Sequence, residues 1–80
     1  MKQQLTLNEI QPGQYGVVRE LKTTGSMRRR LLDIGLIEDT KVECLGRSPL
    51  GDPAAYRVRG AVVALRRRDA QRIALRRGEE

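Results

Sequence analysis

Residues 49–65, PLGDPAAYRVRGAVVAL, contain a loop, a strand, a turn and a second strand in direct succession. The first five residues form a loop by composition, because Pro, Gly and Asp interrupt regular structure. Residues 55–59 alternate apolar and basic side chains, which is typical of a half-buried strand. Gly60 supplies the turn, and the uniformly apolar run 61–65 predicts a central strand with both faces covered.

Three further strands are predicted upstream of this stretch, at residues 5–7, 15–21 and 41–48. Each is short, and each is bounded by polar residues, Gly or Pro. In the third, the period of two places Val42 and Cys44 on one face, where they would enter the core.

One helix is predicted over residues 26–34, between the second and third of those strands. Ser26 can cap it by accepting a backbone N–H bond, and Gly35 can end it in the left-handed conformation. Leu36 then folds back towards the core. The apolar residues that recur on one face of the helix are Met27, Leu31 and Ile34.

The end of the chain predicts little regular structure. A helical turn is expected at residues 69–73, and residues 76–80 are expected to form a frayed tail because Leu75 is the last apolar anchor. About five short antiparallel strands, one inserted helix and this terminal turn predict an all-β fold, a small barrel, in a single domain over residues 1–80.

Composition restricts the size of the core and the cellular compartment. The chain has 80 residues, 39% of them hydrophobic, with no Trp and no Phe, so one small aliphatic core is expected. One cysteine permits no intramolecular disulfide, which favours a reducing compartment. No apolar run is long enough to span a bilayer, and the N-terminus lacks the pattern of a signal peptide. We therefore expect a cytoplasmic protein.

A net charge of +6 at pH 7 points to an acidic partner or to a solvated basic surface. The candidate partners are nucleic acid, an anionic membrane and an acidic protein patch. Nucleic-acid binding is the main rival to protein docking, through a basic stripe of arginines, but single-strand binding usually relies on aromatic stacking and the chain has only two tyrosines. No stable nucleic-acid complex is expected.

The chain lacks the residues that catalysis and tight metal binding need. There is no His, one Cys and no pair of carboxylates at ligand spacing, so neither a tight metal site nor an intrinsic cofactor is expected. No nucleophile has a base beside it in the sequence pattern, and we predict that the chain is not an enzyme. Cys44 is predicted to be a small core residue.

Several motifs resemble the FeoA family. They are RLLDIGL at 30–36 and SPLGDP at 48–53, followed by RVRG at 57–60 and ALR at 64–66. The turn at 37–40, IEDT, departs from the Pro-Gly that is frequent there in the family, and Asp tolerates the required left-handed conformation. Together these motifs and the residues before them cover nearly the whole chain.

The resemblance implies an SH3-like barrel and an accessory role in bacterial ferrous-iron uptake. The implied partner is the cytoplasmic part of FeoB, the GTPase-coupled iron permease, which would hold the protein at the periphery of the inner membrane. Ferrous iron would be the ion carried by that partner system. Self-association stays open, and the alternative function is a small basic module that binds nucleic acid or accompanies a metal-dependent regulator.

Two groups of residues are the predicted partner-binding surfaces. In the loop, two prolines stiffen the backbone so that Leu50 either projects outward or tucks over the end of the barrel. On the helix, three consecutive arginines either meet an acidic partner or the phospholipid headgroups near a permease, or are simply solvated. The residues are Leu50, Gly51, Asp52 and Pro53 in the loop, and Arg28, Arg29 and Arg30 in the helix.

Overall fold

Six antiparallel strands form one curled sheet in the computed structural model of the chain, which describes residues 5–77. The strands, in chain order, are β1 (Leu5–Thr6), β2 (Tyr15–Leu21), β3 (Lys41–Arg47), β4 (Ala54–Val58), β5 (Ala61–Leu65) and β6 (Ile73–Arg77). Their order in the sheet is β1-β6-β2-β3-β4-β5. With extents of 29 × 27 × 26 Å, the molecule is nearly as deep as it is wide, as a curled sheet requires. The prediction of an all-β fold is confirmed.

Three short helical elements connect the strands. A 3-10 turn, Leu7–Glu9, follows β1; helix α1, Gly25–Ile34, joins β2 to β3; and helix α2, Arg67–Ala70, joins β5 to β6. The inserted helix was predicted within one residue of its observed bounds. The terminal helical turn was predicted at 69–73, whereas α2 begins two residues earlier and ends before β6.

The core is aliphatic, with one tyrosine, and lies on the inner face of the curled sheet. Alternate residues of β3 and β4 point into it, as the period of two requires. Val42 and Cys44 are both fully buried, as predicted. The buried apolar residues are Leu7, Ile10, Val18, Leu21, Leu31, Leu36, Val42, Cys44, Ala54, Tyr56, Val58, Leu65, Ala70, Ile73, Ala74 and Leu75.

Helix α1 closes over the core through its predicted apolar face. Leu31 is fully buried, and Met27 and Ile34 pack against the core from its rim. Gly35 ends the helix with φ 111°, and the Leu36 N–H donates to the Leu31 carbonyl over 3.0 Å. This is the six-to-one bond of a Schellman ending, and it directs Leu36 into the core.

The start of α1 differs from the prediction. Thr24, rather than Ser26, precedes the helix, and no side chain caps it. Gly25 has φ 68° and can therefore turn the chain sharply out of β2 before the first helical turn. Ser26 is consequently an exposed residue inside the helix.

Strand β6 is a second difference, because about five strands were predicted and residues 76–80 were expected to be frayed. Residues 76 and 77 belong to β6, which inserts between β1 and β2. Ile73, Ala74 and Leu75 are all buried there, and the last two arginines continue the strand, paired with Val17 and Gly16 of β2. Residues 78–80 lie outside the described part of the chain.

Strand β5 is the third difference. The apolar run 61–65 was predicted to be a central strand, yet β5 is the last strand in the sheet order and pairs only with β4. Leu65 is buried and Val63 half-buried, while Val62 is 62% exposed. An apolar run shows that a strand tolerates burial; it does not supply the neighbour that would bury it.

Two turns need left-handed backbone conformations. Asp39 has φ 74°, which fulfils the expectation for the IEDT turn. At the β4–β5 turn, Arg59 has φ 51° and Gly60 has φ 86°, the signature of a two-residue type I′ hairpin. The prediction that Gly60 forms this turn is confirmed, and Arg59 shares the left-handed conformation with it.

Candidate docking surfaces

The tip loop, residues 48–53, joins β3 to β4 and is closed by two backbone hydrogen bonds. The Ser48 N–H donates to the Pro53 carbonyl over 3.0 Å, and the Gly51 N–H donates to the Ser48 carbonyl over 2.8 Å. At its apex, Leu50 is 93% exposed. The structure therefore places this side chain outward, the first of the two arrangements considered from the sequence.

Asp52 anchors the tip loop to the beginning of α2. Its Oδ1 accepts a hydrogen bond from the Arg67 backbone N–H over 2.8 Å. A carboxylate at this position satisfies one of the N–H groups that a helix start leaves unpaired. Asp52 thus ties the tip loop to α2 at the Ala54↔Leu65 end of the β4–β5 hairpin.

Three consecutive arginines surround that tie. Arg66, Arg67 and Arg68 are all exposed, and with Asp52 and Gln71 they line a shallow depression of about 530 Å³. Only one carboxylate faces these guanidinium groups in the depression. The base of the tip loop is therefore strongly basic, and its apex is apolar.

The arginines of α1 form a second surface. Arg28, Arg29 and Arg30 are exposed, but the Arg28 Nη1 also donates to the Leu21 carbonyl over 3.2 Å. Arg28 therefore holds the start of α1 against the end of β2. Arg29 and Arg30 have no such structural bond in the described structure and are the side chains available to a partner.

The two predicted surfaces are separate. Among the described residues, no hydrogen bond or ion pair joins the tip loop to the α1 arginines. The C-terminal end of α1 lies against the β4–β5 turn, where a Cβ on Gly35 would come within 2.6 Å of Arg59 Cδ. The tip loop lies at the opposite end of the β4–β5 hairpin, beside the Ala54↔Leu65 pair.

Sequence reasoning missed the exposed edge between these two ends. Val62 and Ala64 of β5 face outward, and the cross-strand partner of Val62 is Arg57. Arg57 Nε lies 3.8 Å from Glu43 Oε1 at the exposed surface. The signal that could have identified this edge is the charge at its ends. Arginines on both sides of a short apolar run are costly to bury, so the run is disfavoured at the centre of a sheet.

The two titratable side chains of the described core, Cys44 and Tyr56, are both held in their protonated forms. Burial raises the pKa of the Cys44 thiol, against a smaller opposing effect of Arg47. Burial likewise raises the pKa of Tyr56. Both groups stay protonated near neutral pH, so Cys44 behaves as the small core residue predicted from the sequence.

Arg47, which sequence reasoning did not single out, has a structural role beside these groups. Its Nη2 donates to the Asn8 carbonyl over 3.0 Å and to the Ile10 carbonyl over 2.9 Å. This guanidinium therefore fixes the segment after β1 against the end of β3. No sequence pattern indicated it, because the contact joins residues 37 and 39 positions apart.

Within residues 5–77, no three Cys, Asp or Glu side chains are grouped so that they could hold a metal ion. The same part of the chain contains no helix long and apolar enough to cross a membrane. What the described surface offers is an apolar apex, two basic patches and an unpaired strand edge. These features suit the recognition of another macromolecule.

Comparison with protein families matches residues 5–77 to the FeoA domain. A curated relative is the Fe(2+) transport protein A/Fe(2+) transporter FeoB fusion protein of Porphyromonas gingivalis. It is 32% identical over 69 residues, which are 86% of this chain and 8% of the fusion protein. The chain thus spans only a small part of that relative.

Solved structures show the same fold. The FeoA-like protein of Clostridium acetobutylicum superposes with a TM-score of 0.85 at 30% identity, over 100% of this chain and 93% of that one. FeoA of Stenotrophomonas maltophilia, described as an SH3 domain protein and solved with zinc, gives 0.74 at 27% identity, over 89% and 88%. The predicted SH3-like fold is confirmed.

Proposed function

The chain belongs to the FeoA family, and from that premise we propose that it is an accessory protein of bacterial ferrous-iron uptake that docks on the cytoplasmic part of a FeoB-type permease. The observation that carries the proposal is the Porphyromonas gingivalis relative, in which the corresponding domain and the transporter are one polypeptide. Fusion keeps two partners at a high effective concentration, which favours pairs that work in contact.

The proposed role is regulation or assembly by binding, without chemistry. The buried, protonated Cys44 supports this, because a cysteine nucleophile must be accessible and ionised. Ferrous iron is then the ion of the partner system, and the protein influences transport through the permease. It would lie in the cytoplasm at the inner membrane, held there by its partner.

Leu50 is the proposed anchor of the contact. Its side chain is almost completely exposed on a loop that two hydrogen bonds already close. Burying a leucine side chain in a partner pocket contributes about 1.5–3 kcal/mol. Little of this is lost to ordering the loop, because its backbone is constrained before binding.

Arg29 and Arg30 are the proposed second contact. They are exposed on α1 and can meet acidic side chains of the permease or nearby anionic headgroups. Such contacts accelerate encounter and set orientation more than they raise affinity. Binding should therefore weaken as salt is added.

The nucleic-acid alternative has little support from the aromatic residues. Tyr56 is buried, and the ring of Tyr15 lies under Lys41 Nζ at 4.3 Å from its centroid. Neither ring is a free platform for base stacking. Docking on a protein is the function that the exposed groups favour.

Retention on membranes that carry a FeoB-type permease tests the anchor. We expect wild-type protein and Leu50→Met to be retained, and Leu50→Asp to be lost, because a carboxylate is costly to bury in an apolar pocket. Membranes without the permease provide the background. Retention no higher than this background for the wild type would refute docking, whereas equal retention of Leu50→Asp would refute only the anchor.

A charge-matched pair tests the helix patch. The double variant Arg29→Glu and Arg30→Glu should be retained less than the double variant Arg72→Glu and Arg77→Glu, which changes the net charge equally at exposed positions outside α1. Arg28 is left unchanged because it bonds the Leu21 carbonyl. An equal loss of retention in the two double variants, relative to the wild type, would show that only net charge matters.

A further inference from the structure

Strand β5 has a neighbour on one side only. It is the last strand of the sheet, and among residues 5–77 no backbone hydrogen bond outside the β4–β5 ladder involves residues 61–65. Ala61, Val62 and Ala64 are exposed and Val63 is half-buried. One whole side of this strand therefore faces solvent.

The hairpin fixes which backbone groups are unpaired. In an antiparallel pair, residues that exchange two hydrogen bonds alternate with residues that exchange none. The type I′ turn makes Val58↔Ala61 the closing, bonded pair, so the following bonded pair is Tyr56↔Val63. The N–H and C=O groups of Val62 and Ala64 consequently point away from β4.

This edge lacks the usual protection. Natural edge strands carry an inward charge, a proline, a bulge or a covering element that prevents further pairing. Residues 61–65 contain no charged residue and no proline, and their register with β4 is continuous. We propose that β5 is a docking edge that accepts an extended segment of a partner protein as a seventh strand, with apolar residues in its middle and acidic residues at both ends.

The charge at the ends of β5 defines the partner. Arg57 and Arg59 precede the strand, residues 66–68 after it are all arginine, and no acidic residue occurs from position 53 to position 68. The Glu43 carboxylate near Arg57 is exposed and 3.8 Å away, so it neutralises this charge only weakly. An incoming strand with carboxylates at both ends would be complementary.

The same charges disfavour a second copy of this chain. A two-fold antiparallel pairing of two β5 strands about Val63 would bring the start of α2 in one copy, which carries Arg67, beside the β4–β5 turn of the other, which carries Arg59. Like charges at such close range repel each other. The arrangement would repeat at both ends of the shared edge, so the partner is a different, acidic segment.

The outer face of the sheet accounts for the apolar middle. Val62 and Ala64 are the exposed β5 side chains on this face, and behind Ala64, over β4, lies a shallow groove of about 410 Å³ lined largely by small or apolar side chains. Alternate residues of an added strand would point to the same face and lie next to Val62 and Ala64. Main-chain bonds would supply affinity, and these apolar neighbours would favour apolar side chains.

This inference deepens the proposed function, and the assignment of the segment to the permease rests on that function. The edge itself does not depend on it. The probe is therefore a defined peptide, acetyl-EEVTVTVEE-amide, compared with acetyl-KKVTVTVKK-amide, which has the same middle and the opposite charge. The first should bind and the second should bind at least about tenfold more weakly.

Hydrogen exchange followed by NMR locates the peptide. At saturation with the acidic peptide, exchange of the Val62 and Ala64 N–H groups should slow at least about tenfold, because both become bonded. The Val63 N–H, already bonded to β4, provides the internal reference. Unchanged exchange at Val62 and Ala64, or a dimer that forms through β5 without peptide, would overturn the proposal.

Two variant pairs test the backbone bonds. Ala64→Pro removes an outward N–H and leaves the β4 ladder intact, since proline is tolerated where an edge N–H faces solvent. It should bind the acidic peptide at least about tenfold more weakly than Ala64→Ser, which keeps the N–H. If Ala64→Pro does not fold, the comparison of Val62→Glu with Val62→Thr replaces it, and Val62→Glu should bind the acidic peptide more weakly. Equal binding of the peptide by the two variants of a pair would overturn the proposal that β5 is a docking edge.

Permease membranes separate the two proposals. Wild-type protein that binds the acidic peptide but is not retained by the membranes would refute permease docking and support the edge. Wild-type protein that is retained, with Ala64→Pro and Ala64→Ser retained equally, would support docking and refute the edge as its contact. Loss of Ala64→Pro alone would support both.

Discussion

Strands β5 and β6 have similar sequences and opposite environments. Each begins with apolar residues and is followed or ended by arginines, AVVAL before RRR in one and IALRR in the other. β6 pairs with β1 and β2, and its first three residues are buried. β5 pairs with β4 alone and is mostly exposed. Position in the sheet, rather than local composition, determines how much each strand contributes to stability and how much it offers to a partner.

The largest expected effect comes from truncating an apolar side chain in each strand. Ile73→Ala in β6 should lower the free energy of unfolding by about 2–5 kcal/mol, because it leaves a cavity at a fully buried position. Val62→Ala in β5 should change it by less than about 0.5 kcal/mol. Urea unfolding measures both, and similar losses in the two variants would show that the edge is covered in solution.

The close approach of β2 to β6 gives the next largest effect. A Cβ on Gly16 would meet Leu75 Cδ1 at 2.9 Å and the Arg76 carbonyl oxygen at 3.2 Å. Gly16→Ala should therefore destabilise the fold by about 1–3 kcal/mol, the range for overpacking. Gly46→Ala is the control, because nothing lies within 4 Å of a Cβ there. Equal unfolding midpoints for the two variants would mean that β2 and β6 are packed less closely.

Strands β5 and β6 also show how far the sequence predicts the fold. The α1 face, the Gly35 ending and the inward positions of β3 and β4 follow from periods of 3.6 and 2, which local sequence carries. The places of β5 and β6 follow from pairing between distant residues, such as Leu5↔Leu75, which no local pattern encodes. The apolar run 61–65 was therefore assigned a central place, and β6 was not predicted: its first residue was assigned to a helical turn and its last two to a frayed tail.

The candidate surfaces likewise include one feature that local sequence predicted and two that it did not. Exposure of Leu50 followed from the two prolines and the loop composition as one of two arrangements. The tie from Asp52 to Arg67 and the unpaired edge of β5 did not, because each depends on which elements become neighbours. The roles of Leu50 and the α1 arginines in binding remain predictions.

A smaller effect is expected from pH, through the buried sides of β3 and β4, the two strands that precede β5 in the sheet order. Burial raises the pKa of Cys44 and of Tyr56, so the folded protein holds these protons at a pH where the unfolded chain has released them. Stability is then fully present below the unfolded pKa values and falls as pH rises above about 9. Urea midpoints between pH 7 and pH 10.5 should decline, and less steeply in Tyr56→Phe. A flat profile would mean that the β4 side facing the core is hydrated despite the exposed edge beside it.

The smallest effect concerns the end of β6, where the strand reaches solvent as β5 does along its whole length. Arg76 Nη2 lies 3.2 Å from Asp39 Oδ1, and both side chains are exposed. Exposed pairs contribute at most about 1 kcal/mol, so Arg76→Ala should lower stability by less than that, and the loss should shrink in 0.5–1 M salt. The Arg76 backbone pairs opposite Val17, independently of its side chain. Slow exchange of the Arg76 N–H in the variant would therefore show that pairing with β2 holds this end in place. Exchange as fast as in an unfolded chain would mean that β6 ends earlier and that the contrast with β5 is confined to residues 73–75.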